Sequence, residues 1–214
     1  ITYVSPTFEV PKLRPLLRLP GAIAQWEEDE DPFALIAGLA GGPLAVDPST
    51  PFRFVSGLMA AGAHVVPAQP LIVAGRQIKS RAEIALIQTA MDASLEVHKA
   101  VHAGLRPGIY TTEVSAFVND AHRALGLDTL FVAVQFGEAT AYPHGVPYPQ
   151  TLSQGDMVLV DLGGTLQGYR SDITRTYVFG TPTARPSALW YLEQRAQAAA
   201  FAAARIGAPC AEVD

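Results

Sequence analysis

Hydrophobic residues recur at helical spacing along a segment in the middle of the chain. The segment begins at Ser80 and Glu83, which have the spacing of a capping box, and its apolar stripe consists of Ile84, Ile87, Met91 and Leu95. The pattern predicts a helix that continues to about Ala103 and stops at Gly104, where a glycine suits a left-handed cap.

Two further helices are predicted from the same kind of pattern. One begins at residue 111 or 112, ends at Gly126, and presents a stripe formed by Val114, Phe117, Val118, Ala121 and Leu125. The other is rich in alanine and runs from about residue 187 to residue 206. Two of its large apolar residues are expected to pack inward, Leu189 and Trp190.

Short apolar segments alternate with helical ones over the first seventy-odd residues. Strands are predicted at residues 1–4, 44–46 and 71–73. Helices are predicted from Pro32 and over residues 52–61. This alternation is typical of a small α/β layer domain, and a boundary is predicted near residues 75–79. We therefore place a partial N-terminal α/β domain at residues 1–76 and a second domain at residues 77–214.

A second kind of pattern occupies Met157–Val178, where two β-rich runs flank a polar middle that contains glycine. It predicts a β-hairpin. If the turn centres on Leu166 and Gln167, Asp161 lies directly opposite Asp172. Directly opposed carboxylates repel and aspartate is depleted in strands, so a divalent cation, or a pair of them, would explain both acids. Carboxylate oxygens are hard ligands that suit such ions.

This metal interpretation depends on the register of the hairpin. A register that differs by one or two residues makes Asp161 and Asp172 ordinary turn and cap residues, because register is fragile when it is inferred from sequence alone. From the spacing by itself, both interpretations stay open.

One histidine precedes the hairpin in a loop of unusual stiffness. Pro143 and Pro147 restrict the backbone around His144, and Gly145 allows a close approach of the chain. Near a hydrolytic metal, His144 could shuttle protons or hold substrate, since an imidazole ordinarily gains and loses a proton near neutral pH. The alternative is a loop histidine that hydrogen-bonds to the backbone.

Two other histidines, His98 and His102, sit four residues apart in the last turns of the first helix. That spacing can bind zinc, but no glutamate follows His98 as the helix of a zinc protease requires. Histidines near the C-terminus of a helix are also favoured by its dipole, and this is the preferred interpretation.

The composition argues against several classes of function. The chain of 214 residues has 15 Lys and Arg against 20 Asp and Glu, a net charge of −5 that lacks the basic footprint of a nucleic-acid-binding surface. Cys210 is the single cysteine, so no internal disulfide forms and the cytoplasm is the expected compartment. The longest apolar stretch, Phe33–Val46, is broken by glycines and a proline, so no membrane span is expected.

With 49% hydrophobic residues and 16% charged ones, part of the surface is expected to face another domain or subunit.

The order of motifs along the second domain resembles a known family. The motifs are Ile78-Lys79-Ser80, Glu83-Ile84, Leu105-Arg106-Pro107-Gly108, Thr112-Glu113, Pro143-His144-Gly145, Asp161-Leu162-Gly163-Gly164 and Ser171-Asp172-Ile173-Thr174-Arg175-Thr176. This order resembles the proline-specific branch of the pita-bread metallopeptidases, the Xaa-Pro aminopeptidases and Xaa-Pro dipeptidases (prolidases). The resemblance runs from about residue 78 to the end, and the preceding α/β segment resembles the N-terminal domain of these peptidases.

The resemblance implies a fold class, a cofactor and site residues. The fold would be a partial α/β N-terminal domain followed by the first half of an α+β pita-bread catalytic domain. The cofactor would be two divalent metal ions, usually manganese, with zinc or cobalt as substitutes. Asp161 matches the first ligand, Asp172 matches the bridging aspartate, and His144 matches the histidine that contacts substrate and assists proton transfer. Short proline-containing peptides would be the substrates of a homodimeric enzyme.

One departure from the family separates this chain from a complete site. The family's ligands are Asp, Asp, His, Glu and Glu, and no residue here matches the last three. Two carboxylates leave a pair of divalent ions under-coordinated. We therefore expect the chain alone to bind metal weakly, to catalyse little, and to be a segment of a longer or cleaved polypeptide. A creatinase-like hydrolase without metal and a non-catalytic module that binds peptides or proteins stay open as alternatives.

Overall fold

The computed structural model describes residues 1–214, which form two compact units, Ile1–Lys79 and Ser80–Asp214. The strands of the first unit are β1 (Thr2–Pro6), β2 (Ala22–Trp26), β3 (Leu44–Val46) and β4 (Val65–Pro67). Its helices are α1 (Val10–Leu13), α2 (Pro32–Leu39), α3 (Phe52–Ala60) and α4 (Gln69–Gln77). The helices of the second unit are α5 (Arg81–Gly104), α6 (Thr111–Ala124) and α7 (Ala184–Ala203). Its strands are β5 (Asp128–Phe136), β6 (Met157–Leu166), β7 (Tyr169–Arg170) and β8 (Ile173–Val178).

The first unit is built on two pairs of parallel strands, β1 with β2 and β3 with β4. α2 begins at Pro32 as predicted, and the carboxylate of Asp31 caps it by accepting a hydrogen bond from the Phe33 amide at 2.8 Å. The strand predicted at residues 71–73 is wrong, because these residues lie inside α4. A short apolar run is ambiguous between strand and helix, and Pro70 in the first turn favours the helix.

The long helix α5 opens the second unit with the predicted capping box. The Ser80 amide donates to the Glu83 carboxylate at 2.6 Å, and the Glu83 amide donates to Ser80 Oγ at 3.3 Å. The buried face differs from the predicted stripe, since Ile84 is 56% exposed. The buried residues are Ala90, Ser94, Val97, His98 and Val101. The left-handed cap predicted at Gly104 is also wrong, because the helix instead leads into an extended Leu105.

The four strands of the second unit form an antiparallel sheet in the order β5-β6-β7, and β8 also pairs with β6. α5 and α6 pack on one face of this sheet. The core between them contains Val97, Val101, Val114, Val118, Val134, Phe136, Val158, Val160 and Leu162. Because side chains alternate along a strand, the residues between these core positions point to the other face, away from α5 and α6.

The turn of the central hairpin lies one residue later than predicted. Leu166 pairs with Tyr169, so the turn consists of Gln167 and Gly168, whose φ values are 52° and 83°. Two consecutive positive φ values are typical of the type I′ turn, whose twist matches that of the flanking strands. The prediction that Asp161 faces Asp172 is therefore wrong, and Asp161 pairs with Thr174.

The shift of register nevertheless keeps both acids on the same side of the sheet. Pairing has moved by two residues, and the side chains of a strand alternate with a period of two. A shift of one residue would have turned Asp172 into the core. The two acids thus share a face of the hairpin, as predicted, but they are not directly opposite each other.

Gly168 is the turn position at which a side chain is most costly. We expect Gly168→Ala to lower the free energy of unfolding by about 1 kcal/mol, because a Cβ atom is strained at this positive φ. Gly104→Ala is the control, since Gly104 is helical, and we expect it to gain about 0.5 kcal/mol. Urea denaturation followed by circular dichroism measures both. Equal effects of the two substitutions would contradict this account of the turn.

The last helix is more exposed to solvent than its sequence predicts. α7 contains no buried residue, and Leu189 and Trp190 are 57% and 51% exposed, so the prediction that they pack inward is wrong. Apolar residues occur all round this helix, so the pattern does not indicate a single face that should be buried. None of the helices in the chain combines the length and the apolar character that crossing a membrane requires.

Candidate metal centre

Asp161 lies in the middle of β6, on the sheet face that α5 and α6 leave uncovered. Its neighbours Val160 and Leu162 point the other way and are completely buried in the core, which fixes the direction of the Asp161 side chain. The carboxylate is half-buried and accepts a hydrogen bond from Thr174 Oγ1 at 2.7 Å. Thr174 thus orients one oxygen of the acid.

Asp172 lies two residues before Thr174 and points to the same face. It is exposed, whereas Ser171 and Ile173 on either side of it are buried. Asp161 and Asp172 are diagonal neighbours across the hairpin, a relation in which residues lie roughly 7–8 Å apart. The structure therefore brings the two predicted acids together on one face, although not in direct opposition.

Buried polar contacts with α5 hold the chain on both sides of Asp172. Ser94 Oγ and Ser171 Oγ lie 2.7 Å apart, and the Gly164 amide donates to Ser171 Oγ at 2.9 Å. On the other side, His98 Nε2 donates to the carbonyl oxygen of Ile173 at 2.9 Å, since a carbonyl can only accept. The short stretch between β7 and β8 is thus fixed from beneath the sheet.

His98 and His102 do not form a ligand pair in this structure. His98 is buried and bonded to the backbone, while the ring of His102 packs edge-on against Tyr177 with centroids 5.0 Å apart. Burial, the larger effect, lowers the pKa of His98 below its ordinary value of 6.5, and the hydrogen bond to Ile173 acts against it. His98 is therefore a neutral core histidine at neutral pH.

Gly163 allows the strands around the acids to approach closely. The register sets it opposite Asp172, between the Leu162–Ile173 pair and the hydrogen bond from the Ser171 amide to Gly164. A Cβ atom at Gly163 would lie 2.5 Å from the carbonyl oxygen of Ser171 and 2.6 Å from the Phe131 ring. This close approach explains why glycine follows Asp161 and Leu162 in the motif.

His144 lies in an exposed loop that a buried glutamine fixes to the sheet. Gln135, 3% exposed, lies two residues along β5 from Ala133, which pairs with Asp161. In the amide orientation that satisfies both of its ends, Gln135 donates to the carbonyls of Ala139 and Tyr142 at 2.9 and 3.3 Å. Its oxygen accepts from the Gly145 amide at 2.9 Å. The loop that carries His144 is thus attached to the acid-bearing face.

His144 also shares a groove with the strand next to Asp161. The groove has a volume of about 460 Å³, and its lining includes Thr112, Ser115, Asn119, Ala133, Gln135 and His144. Hydroxyl and amide groups make this groove polar. Thr112, Ser115 and Asn119 belong to α6, and neither Asp161 nor Asp172 lines the groove, so it lies at the β5 edge of the sheet and not beside the two acids.

The donor set of this face suits a hard divalent cation but does not complete a site. Two carboxylates are available, and one oxygen of Asp161 is oriented by Thr174. Nowhere in the chain do three or more His, Cys, Asp or Glu side chains come together as a metal site. The residues present therefore fit part of a metal centre.

Similarity to known proteins identifies the family. The sequence profile of metallopeptidase family M24 matches residues 85–214, more than half of the chain. The chain belongs to metallopeptidase family M24. A relative from Mycobacterium tuberculosis, named "Probable dipeptidase PepE", is 35% identical to this M24 chain over 198 residues, which cover 90% of the chain and 53% of the relative. The Xaa-Pro dipeptidase of Pyrococcus horikoshii is 33% identical over 144 residues, or 65% of the chain and 40% of that protein.

A solved structure agrees with the family assignment. Dipeptidase PepE from Mycobacterium ulcerans matches the M24 chain with a TM-score of 0.81 and 34% identity, over 93% of this chain and 56% of that one. The pita-bread fold predicted from the motifs is thereby confirmed as the fold of the family that the chain belongs to. The chain spans about half the length of the curated relatives that it matches.

Sequence reasoning missed the residues that support the predicted ones in this M24 chain. Gln135 could have been found as the single polar residue in the apolar run from Leu130 to Phe136. Thr174 was present in the family motif but carried no assigned role. Ser94 gave no signal, because a serine in an amphipathic helix is ordinary and only the structure shows its burial.

Proposed function

We propose that this protein is an Xaa-Pro peptidase, which hydrolyses the bond between an N-terminal residue and proline with two divalent metal ions. In this proposal Asp161 and Asp172 are two of the metal ligands. The observation that carries it is the placement of both acids on one uncovered face of the hairpin, with the Thr174 hydroxyl orienting Asp161. Family membership supports the reaction class.

The chain's own residues have separate roles in this proposal. The carboxylates of Asp161 and Asp172 hold the ions, which when bound lower the pKa of water and polarise the scissile carbonyl. His144, on a loop fixed by Gln135, contacts the substrate and moves a proton during the reaction.

The finer features of the proposal rest on the resemblance. Manganese is the expected ion, with zinc or cobalt as substitutes, and short proline-containing peptides are the substrates. The working enzyme is a cytoplasmic homodimer, and the first unit is its N-terminal domain. Because this chain supplies two carboxylates, we expect it to bind metal weakly and to turn over little without further ligands.

The substrate assignment is tested by peptide hydrolysis. We expect the protein, expressed at its natural full length with Mn²⁺, to release alanine from Ala-Pro or from Ala-Pro-Ala and to lose this activity on addition of EDTA. Comparison of the two peptides separates a dipeptidase from an aminopeptidase. Ala-Ala is the control for the proline preference. The proposal would be contradicted if EDTA did not reduce hydrolysis, or if Ala-Ala were hydrolysed as fast as Ala-Pro.

Peptide binding without hydrolysis is the second candidate function. The observation that favours it is that no third His, Cys, Asp or Glu joins the two acids. In that case proline peptides would bind in the groove beside His144 with an affinity that chelators do not change. Isothermal titration with Ala-Pro, with and without EDTA, distinguishes the two candidates.

A further inference from the structure

Two buried polar side chains of α5 reach the segment that carries Asp172. Ser94 and His98 lie one helical turn apart on the face that packs against the sheet. Ser94 is completely buried and contacts the hydroxyl of Ser171, which is completely buried too. His98 is 7% exposed and donates to the carbonyl oxygen of Ile173. The two contacts therefore fall on the residue before Asp172 and on the residue after it.

Burying these polar groups has a cost that packing alone does not require. An apolar residue at either position would fill the same space under the sheet without losing hydrogen bonds to water. A hydrogen bond weakens steeply when its angle departs from the preferred range. Ser94 and His98 thus restrict the position of the backbone at Ser171 and Ile173 through directional contacts.

The segment between β7 and β8 needs such a fixed position. Ser171 and Asp172 lie outside the regular strands, between Arg170 at the end of β7 and Ile173 at the start of β8. Asp172 is exposed, and no core contact of its own side chain directs it. The direction of the Asp172 side chain is therefore set by its backbone, which is held in place at Ser171 and Ile173.

We propose that Ser94 and His98 are positioning residues for metal binding, which aim the carboxylate of Asp172 through the Ser171 hydroxyl and the Ile173 carbonyl. This inference rests on the proposed function, because it requires that Asp172 is a metal ligand. Both residues lie beneath the sheet, on the side opposite the face that carries the two acids. Their effect is on how well the two carboxylates are arranged before an ion arrives.

The test measures Mn²⁺ binding to the 214-residue chain by paramagnetic broadening of amide resonances. We expect Ser94→Ala and His98→Leu each to weaken the apparent Mn²⁺ affinity by about tenfold, the size typical for residues that orient ligands. His98→Gln keeps a donor near the position of Nε2, and we expect it to restore most of the affinity. The fold should tolerate Ser94→Ala, since Ser171 keeps its bonds to Gly164.

His122 provides a matched control in the same unit. It is a completely buried helical histidine that contacts Thr129 at 3.1 Å and makes no hydrogen bond to residues 171–173. We expect His122→Leu to leave the Mn²⁺ affinity within about twofold of the parent, although its melting temperature changes. Loss of affinity at Ser94 and His98 without loss at His122 separates positioning from general destabilisation.

The outcomes distinguish the inference from the function on which it rests. If Mn²⁺ fails to broaden resonances around Asp161 and Asp172 in the parent chain, the proposed metal site itself is wrong. If the parent shows this broadening but Ser94→Ala binds Mn²⁺ as well as His122→Leu does, the positioning role is wrong. If His98→Gln binds no better than His98→Leu, the hydrogen bond to Ile173 is not the cause.

Discussion

Replacing Asp172 with asparagine is expected to remove Mn²⁺ binding from the 214-residue chain and Ala-Pro hydrolysis from the full-length protein. Asparagine has the same shape but no charge, and a pair of carboxylates that loses one anion holds a divalent cation poorly. We expect the metal affinity to fall by more than about 100-fold, beyond the loss typical of residues outside the coordination shell. Electron paramagnetic resonance of free Mn²⁺ measures the affinity.

The same substitution should leave the fold intact. Asp172 is exposed, and its buried neighbours Ser171 and Ile173 keep their contacts, so the free energy of unfolding should change by less than about 0.5 kcal/mol. Asp120→Asn is the control, because Asp120 is an exposed acid of α6 paired with Arg123. An Asp172→Asn protein with the parent's Mn²⁺ affinity and hydrolysis would place the site elsewhere.

Adding a single methyl group at Gly163 is expected to destabilise the second unit by about 3 kcal/mol, the upper part of the range for overpacked cores. The new Cβ atom would lie 2.5 Å from the Ser171 carbonyl oxygen, a backbone atom that moves only with its strand. Relief of this overlap displaces Ser171 and with it Asp172. We therefore expect Gly163→Ala to weaken Mn²⁺ binding as well as folding.

Gly164 is the matched control for this steric argument. Its added Cβ atom would also lie 2.5 Å from a neighbour, but that neighbour is a terminal carbon of the Leu127 side chain, which can shift more easily than a backbone atom, and the Leu127 Cβ atom lies farther away at 3.2 Å. We expect Gly164→Ala to cost about 1 kcal/mol. Urea denaturation of both variants measures the difference. Equal losses of stability in the two variants would show that the contact with the Ser171 backbone is not the cause of the destabilisation by Gly163→Ala.

The helices of the second unit could be predicted from sequence because their signals are local. The capping box at Ser80 and Glu83 fixed the start of α5, and Gly126 ended α6 with a left-handed φ of 79°. The buried face of α5 could not be predicted, because it is centred on Ala90 and Ser94 rather than on the larger residues beside them. Which face of α5 is buried depends on the shape and polarity of the sheet that it packs against, and the sequence of the helix alone does not reveal these.

The register of the hairpin was missed for a reason that lies in the turn. Gln167 takes a positive φ, which is uncommon for a residue other than glycine, asparagine or aspartate, so nothing in the sequence singled it out. The strands β2 and β4 were missed as well. β4 has three residues, too few to show a period, and parallel pairing partners lie far apart in the chain.

The family motifs supplied what pattern alone could not. Spacing left the two acids ambiguous between a metal site and a turn, and the order of motifs around His144, Asp161 and Asp172 resolved the family. Their roles stay predictions, since the family match identifies the chain and not the chemistry of each residue. Gln135 and Ser94 needed the structure, because their importance comes from contacts with distant segments.

The spacing between the two carboxylates and the direction of the Asp172 side chain are set by different parts of the chain. Asp161 and Asp172 belong to one contiguous hairpin, so their spacing is set by contacts of low sequence separation that form within microseconds during folding. The contact of Ser94 with Ser171 spans 77 positions and forms only when α5 docks on the sheet. The hairpin alone therefore sets the spacing of the two acids, whereas the final direction of Asp172 also requires that α5 has docked.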